Sequence, residues 1–140
     1  MRRQAAVAAC AAVLLSVLNL ACGGVVDPSK NVTDTFSGTI PVQGTTNPGH
    51  PFSTSKTGEY TVKVTALAPS SGSFFGTVLA QGLADGSCVG NLPIIQQNSF
   101  STLNTPALGG AIIPGRYCVF LFDIGVFTSP QTYTVTVSHP

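Results

Sequence analysis

Charged side chains are scarce in this sequence of 140 residues, because Asp, Glu, Lys and Arg together make up only 8% of it. An average soluble domain has roughly 25%. Six basic residues, two of them at positions 2 and 3, cannot form a patch that neutralises several phosphates, so we expect no nucleic-acid partner. The five acidic residues are too scattered to form a cage for calcium or another hard cation.

Groups that could carry catalysis are also few, with only two histidines. His50 stands in a proline-rich loop and His139 near the last residue, so we expect a solvated and a mobile side chain, whereas a general base must be held beside a partner. No Gly-x-Ser-x-Gly elbow occurs. The sequence therefore predicts a protein that is not an enzyme and uses no cofactor or metal. The carboxylates fall on separate segments: Asp34, Glu59, Asp85 and Asp123.

The first 21 residues are typical of a bacterial export signal. A short positive start, residues 1–4, precedes the apolar residues 5–18. This apolar stretch is shorter than the roughly 20 residues that a permanent membrane helix needs. We therefore predict a removable signal peptide over residues 1–21, a flexible tether over 22–32 and one domain over 33–140.

The end of the leader resembles the lipobox of bacterial lipoproteins, since Ala21 directly precedes Cys22. In that family the cysteine becomes the first mature residue and is acylated, and buried acyl chains hold the protein on a membrane. Asn19 stands where the family favours leucine, which leaves cleavage without lipid, or a retained anchor, as alternatives. Gly23, in place of aspartate, indicates the outer membrane by the same resemblance, so we expect a cell-envelope lipoprotein anchored at Cys22, or otherwise a secreted protein.

Two of the four cysteines, Cys88 and Cys118, remain in the domain once Cys10 leaves with the leader and Cys22 is assigned to lipid. Two cysteines in one small exported domain usually pair, so we predict a Cys88–Cys118 disulfide. A zinc site and a catalytic thiol pair are weaker alternatives, because no other ligands lie nearby and there is no Cys-x-x-Cys.

Beyond residue 33 the apolar side chains recur with a period of two, which predicts β-strands rather than helices. Thr residues take the alternate positions, and their β-branched side chains suit the exposed face of a sheet. Seven or eight such strands, separated by turn signals, predict an all-β sandwich of antiparallel strands. The inward positions are predicted to be Phe36, Gly38 and Ile40; Tyr60, Val62, Val64 and Ala66; and Tyr133, Val135 and Val137.

Two runs, residues 74–79 and 117–124, are apolar on both faces. Either they are strands covered on both sides, or Phe120 and Phe122 form an exposed aromatic patch. Prolines around residues 41–51 predict an edge strand there. Pro114-Gly115 predicts a type II turn with a positive φ at Gly115.

Several of these segments together resemble the bacterial pre-peptidase C-terminal domain and its small stand-alone relatives. The resemblance covers residues 33–140 and implies a jelly-roll-like β-sandwich. In that family the module is usually appended to secreted peptidases, and related sandwiches bind carbohydrate or calcium. The 140 residues contain no peptidase, so a peptidase-linked role rests on analogy alone. The segments are Phe36–Thr39, Tyr60–Val62, Pro114–Val119, Asp123–Gly125, Tyr133–Val137 and His139-Pro140.

These observations favour a non-enzymatic envelope lipoprotein, a passive binding or structural module whose partner is the membrane and, beyond it, an extracellular polymer or envelope protein. A carbohydrate- or polymer-binding module is the first alternative, and an accessory or inhibitor of a secreted peptidase is the second. The ligand-binding residues are not determined by the sequence. The aromatic side chains available for stacking on a sugar are Phe74, Phe75, Phe120, Phe122 and Phe127.

Overall fold

The computed structural model of the protein describes residues 28–140. The predicted signal peptide over residues 1–21, the predicted lipidation site Cys22 and the start of the tether lie outside the described residues. Within the tether, residues 28–30 form a 3-10 turn, and Asn31 Nδ2 donates to the carbonyl of Glu59 at 2.9 Å. The strands are β1 (Val32–Ile40), β2 (His50–Thr54), β3 (Gly58–Ala68), β4 (Phe75–Gln81), β5 (Ile94–Ser101), β6 (Pro106–Ile112), β7 (Gly115–Phe122) and β8 (Gln131–His139).

The strands form two four-stranded sheets, and every strand pair is antiparallel. The first sheet has the order β1-β8-β3-β6 and the second has the order β2-β7-β4-β5. This is the strand order of a jelly roll, which folds two Greek keys into two packed sheets. The prediction of an all-β, jelly-roll-like sandwich is therefore confirmed. Among the described residues, no helix has the length and apolar character needed to span a membrane.

The core lies between the two sheets and follows the period-two pattern of the sequence. Tyr133, Val135 and Val137 of β8 are at most 3% exposed, while the threonines between them face outward. In β4, by contrast, all residues from Phe75 to Ala80 are buried, as the double-faced apolar run predicts. Because the outward-facing side chains of β4 are buried as well as the inward-facing ones, other segments of the chain must cover part of the outer face of the second sheet.

The predicted inward position of Ala66 is wrong, because β3 changes phase before that residue. Val64 pairs with Val135, and Ala66 pairs with the adjacent Thr134 of β8, so Thr65 is an extra residue in the ladder. A β-bulge of this kind moves each following side chain to the other face. Leu67 is consequently 4% exposed and takes the core position, and Ala66 is exposed.

The predicted positive φ at Gly115 is also wrong. Positive φ values occur at other glycines, and Gly115 is the first residue of β7, paired with Thr54. A Cβ at this position would lie 3.1 Å from the hydroxyl oxygen of Tyr117, which donates to the carbonyl of Ile113 at 2.7 Å. Glycine thus makes room for a tyrosine hydroxyl instead of supplying a turn conformation.

The predicted edge strand is confirmed in β2, which has β7 as its sole neighbour in the second sheet. Pro51 lies within it, opposite Cys118 of β7. Proline has no N–H to donate to a ladder, which suits an edge. The loop that precedes β2, residues 41–49, crosses from the first sheet to the second and forms part of the site described next.

Candidate ligand-binding site

A cleft of about 550 Å³ lies on the outer face of the second sheet. Its floor consists of Val78 and Ala80 from β4 and of Phe120 and Phe122 from β7. These side chains share one face because Val78 pairs with Phe120, and outward positions recur at every second residue. The volume falls within the range of roughly 300–1,000 Å³ that is usual for small-molecule sites.

Two glycines hold the aromatic rings of the floor close to the backbone. A Cβ at Gly76 would overlap the ring of Phe122, and a Cβ at Gly49 would overlap the ring of Phe120. Each ring therefore lies against a bare backbone, and both phenylalanines are half-buried. The sequence left two alternatives for residues 117–124, coverage of both faces or an exposed aromatic patch. The structure has part of each: loops cover part of this face, and the rings of Phe120 and Phe122 remain accessible from the cleft.

The walls of the cleft are polar and come from two loops and the edge strand β5. Thr45 and Asn47 project from the loop over residues 41–49, and Asn91 from the loop over residues 82–93. Ile94 and Gln97 of β5 complete the rim, and all five side chains are exposed. The four polar side chains among them, one hydroxyl and three amides, can donate and accept hydrogen bonds at the mouth of an apolar floor.

The predicted Cys88–Cys118 disulfide is present in the structure, and it fastens one of these walls to the sheet. It joins the loop over residues 82–93 to β7, with Cα atoms 5.6 Å apart. The carbonyl of Cys88 also accepts a hydrogen bond at 2.9 Å from the N–H of Gly49, in the other wall. Cys88 is therefore joined to the floor by the disulfide and to the other wall by this hydrogen bond. Its partner Cys118 is fully buried.

Asp123 fastens the second wall. Its Oδ1 accepts from the N–H groups of Gly125, Val126 and Phe127 at 2.8–3.2 Å, and its Oδ2 accepts from the N–H of Gln43 at 2.8 Å. Burial acts to raise the pKa of this carboxyl, but the four N–H donors outweigh burial and hold the pKa below its ordinary value. The carboxylate is thus a structural anion for the loop over residues 41–49.

Thr46 adds a second attachment of this loop to β7. Its hydroxyl accepts from the N–H of Leu121 at 3.1 Å, and its N–H donates to the carbonyl of Leu121 at 2.8 Å. In the other wall, Asp85 holds a turn of its own loop, because its Oδ1 accepts from the N–H of Ser87 at 2.8 Å. That bond lowers the pKa of Asp85. Both walls are therefore held by hydrogen bonds to backbone groups.

The two histidines are more buried than predicted, because the sequence indicated a solvated loop residue at His50 and a mobile terminal residue at His139. His50 is half-buried, not a solvated loop residue: its ring stacks on Phe36 at 4.9 Å and is hydrogen-bonded to the hydroxyl of Tyr133. Burial lowers the pKa of His50. His139 is 4% exposed and belongs to β8, not to a terminal tail, and its Nε2 lies 3.1 Å from Asp34 Oδ2. Each ring contacts the opposite sheet, that of His139 lying 5.0 Å from the ring of Phe52 in β2, and neither lines the cleft.

The aromatic residues considered for stacking on sugars separate into three groups. Phe75 and Phe127 are buried in the core, and Phe120 and Phe122 form the floor of the cleft. Phe74 is 49% exposed and packs edge-on against Phe100, at a centroid distance of 6.3 Å. Phe100 lies in an uncharged strand, and the sequence pattern gave no signal that set it apart.

The lining of the cleft can bind an uncharged molecule. Its side chains are apolar, amide or hydroxyl, and Asp85 and Arg116, which lie on the same loop and strand, do not line it. Over residues 28–140, no three His, Cys, Asp or Glu side chains come together as a metal site. Neither a scan against protein-family models nor a search of curated proteins found a match to this chain.

Proposed function

We propose that this chain is an exported cell-envelope lipoprotein, anchored by lipid at Cys22, whose β-sandwich is a non-enzymatic binding module. The cleft on the outer face of the second sheet is its ligand site. The observation that carries the proposal is the composition of that cleft, a fixed aromatic floor with an amide and hydroxyl rim. Such groups orient and hold a ligand, whereas acid–base chemistry needs a titratable group in reach of the ligand.

Export is supported by the leader and by the disulfide. The residues before Cys22 have the order of a signal peptide, and disulfides persist mainly in oxidising compartments such as the bacterial periplasm and the cell surface. The nine residues from Gly23 to Asn31 separate the lipidation site from β1. Extended, they would span at most about 30 Å, so the module would stay near its membrane. Gly23 favours the outer membrane.

The resemblance to the pre-peptidase C-terminal domain belongs to the same proposal, and the jelly-roll strand order is the fold that this resemblance implies. A role as accessory or inhibitor of a secreted peptidase stays a prediction from family analogy.

Fractionation of cells that express the full chain tests the anchor. We expect the protein in the outer-membrane fraction, labelled by a radioactive fatty acid, and Cys22→Ser should abolish the label and release the protein. Cys10→Ser is the matched control, because Cys10 lies in the part of the leader that is removed. Unchanged fractionation of the Cys22→Ser protein would refute the lipid anchor.

Co-sedimentation with insoluble envelope material tests the cleft. Ile94→Glu places a charge at the rim, at a side chain that is 60% exposed and can be replaced without disturbing the core. Ile113→Glu is the matched control, since Ile113 is 65% exposed and lies outside the cleft. The proposal predicts that Ile94→Glu reduces the sedimented fraction and that Ile113→Glu does not. Equal sedimentation of the two variants would contradict the assignment of the cleft.

A further inference from the structure

We infer that the cleft binds an uncharged carbohydrate chain, with the apolar face of a sugar ring on the phenylalanine floor and its hydroxyl groups against the amide rim. This inference rests on the proposed function and names the ligand class of the same site. It follows from three properties of the cleft: its charge, the arrangement of its apolar and polar groups, and its position on the sheet.

The first property is the absence of charge over a long stretch of chain. Residues 86–115 contain no Asp, Glu, Lys or Arg, and this stretch supplies one wall and the β5 side of the cleft. The carboxylate nearest the floor in sequence, Asp123, is held by four backbone N–H groups and is only 8% exposed. An acidic or basic polymer would find no counter-charge in the lining, and desolvating its charges there would oppose binding.

The second property is the separation of apolar and polar groups within one cleft. The rings of Phe120 and Phe122 have no polar atom, while Asn47 and Asn91, from two different loops, line the same cleft. Among the described residues, neither amide makes a side-chain hydrogen bond, so both are available to a ligand; Gln97 makes one, to Ser99 Oγ at 3.2 Å. A pyranose ring has the complementary form, with axial C–H groups on a face and hydroxyls around the edge.

The third property is that the floor is a sheet face. Val78 and Phe120 lie on interior strands of the second sheet, whose backbone groups are already paired on both sides. A peptide that binds by strand addition needs an unpaired sheet edge, which the floor lacks, since within the cleft only the rim strand β5 is an edge. A fatty acyl chain has no group along its length that could bond to the amides of Asn47 and Asn91, so it would use only the apolar floor. A neutral sugar satisfies both the rings and the amides.

Isothermal titration with soluble neutral oligosaccharides tests the inference on the full chain, purified in a detergent without a sugar headgroup. The probes are hexasaccharides of glucose, mannose and galactose, with polygalacturonate and palmitate as competing ligand classes. We expect at least one neutral probe to bind with an affinity unchanged between 50 and 500 mM salt, because screening does not act on an uncharged ligand. Binding of polygalacturonate or palmitate alone would overturn the inference.

Two amide variants locate the sugar. Asn91→Ala should weaken binding about 3- to 10-fold, the effect of one lost hydrogen bond. Gln81→Ala is the matched control, since Gln81 is an exposed amide of β4 that does not line the cleft. Equal effects of the two variants would place the sugar elsewhere and overturn the inference. If the co-sedimentation remains sensitive to Ile94→Glu while no neutral probe binds, the ligand class is wrong and the proposed function stands.

Discussion

Removal of the Cys88–Cys118 bridge should lower the stability of the domain by about 3.6 kcal/mol. The two cysteines are 30 positions apart, and closing a loop of that length in the unfolded chain costs about 12 cal/mol/K in the chain-entropy account. The 113 residues from 28 to 140 would unfold with an entropy of about 240 cal/mol/K. The melting temperature should therefore fall by about 15 °C.

Differential scanning calorimetry of the full chain, with and without a reductant, measures this change. The Cys88→Ala/Cys118→Ala variant should melt near the temperature of the reduced wild type, and reductant should not shift the variant further. It should also lose affinity for the cleft ligand, because the bridge fastens the wall that carries Asn91. Identical melting of oxidised and reduced wild-type protein would show that the crosslink is not formed or does not constrain the chain.

Three further changes probe the loops, the floor and the sheet contact. Asp123→Ala leaves four N–H groups without their acceptor, so it should lower the free energy of unfolding by about 2–4 kcal/mol in urea titrations. A loss below about 0.5 kcal/mol would contradict the structural role of this carboxylate. Gly76→Ala, which pushes a Cβ into Phe122, should cost about 1–3 kcal/mol, whereas Gly72→Ala meets no atom within 4 Å and should cost nothing. The pKa of His50 lies below its ordinary 6.5 in the folded protein, so below pH 6.5 the unfolded chain binds more protons than the folded one. The contribution of His50 to the free energy of unfolding should therefore be constant above pH 6.5 and fall as the pH drops below 6.5. His50→Gln should reduce that slope in urea titrations between pH 7 and pH 4.5, and an unchanged slope would exclude this histidine as its source.

Local patterning predicted most of the fold because the two faces of each strand meet different surroundings. In β8 the alternation of Thr with Tyr or Val requires one apolar and one hydrated side, which a sheet packed on one face satisfies. The bulge at Thr65 was beyond such reasoning, since an extra residue depends on how β3 and β8 pair, and not on the composition of either strand. The buried position of His139 likewise depends on a distant segment, because its ring packs against Phe52 of the other sheet at a centroid distance of 5.0 Å.

The site was harder to predict than the fold, since its parts are distant in the sequence. In the sequence Asn47 and Asn91 are ordinary loop amides, and only the jelly-roll order brings their two loops to the same cleft on β7 and β4. The disulfide was predictable because export and cysteine number leave few pairings. Gly49 and Gly76 carried no signal, because their role is a close contact with a ring on another segment.

The pairing of Val32 with His139 places the beginning of the first strand beside the end of the last one. A pulling force applied between these two residues would open β1 from β8 one hydrogen bond after another, starting from that end, instead of shearing the whole ladder at once. Each step would break contacts worth only about 1 kcal/mol. The sandwich should therefore open at a lower force when pulled at these two residues than when pulled so that the whole ladder is sheared at once.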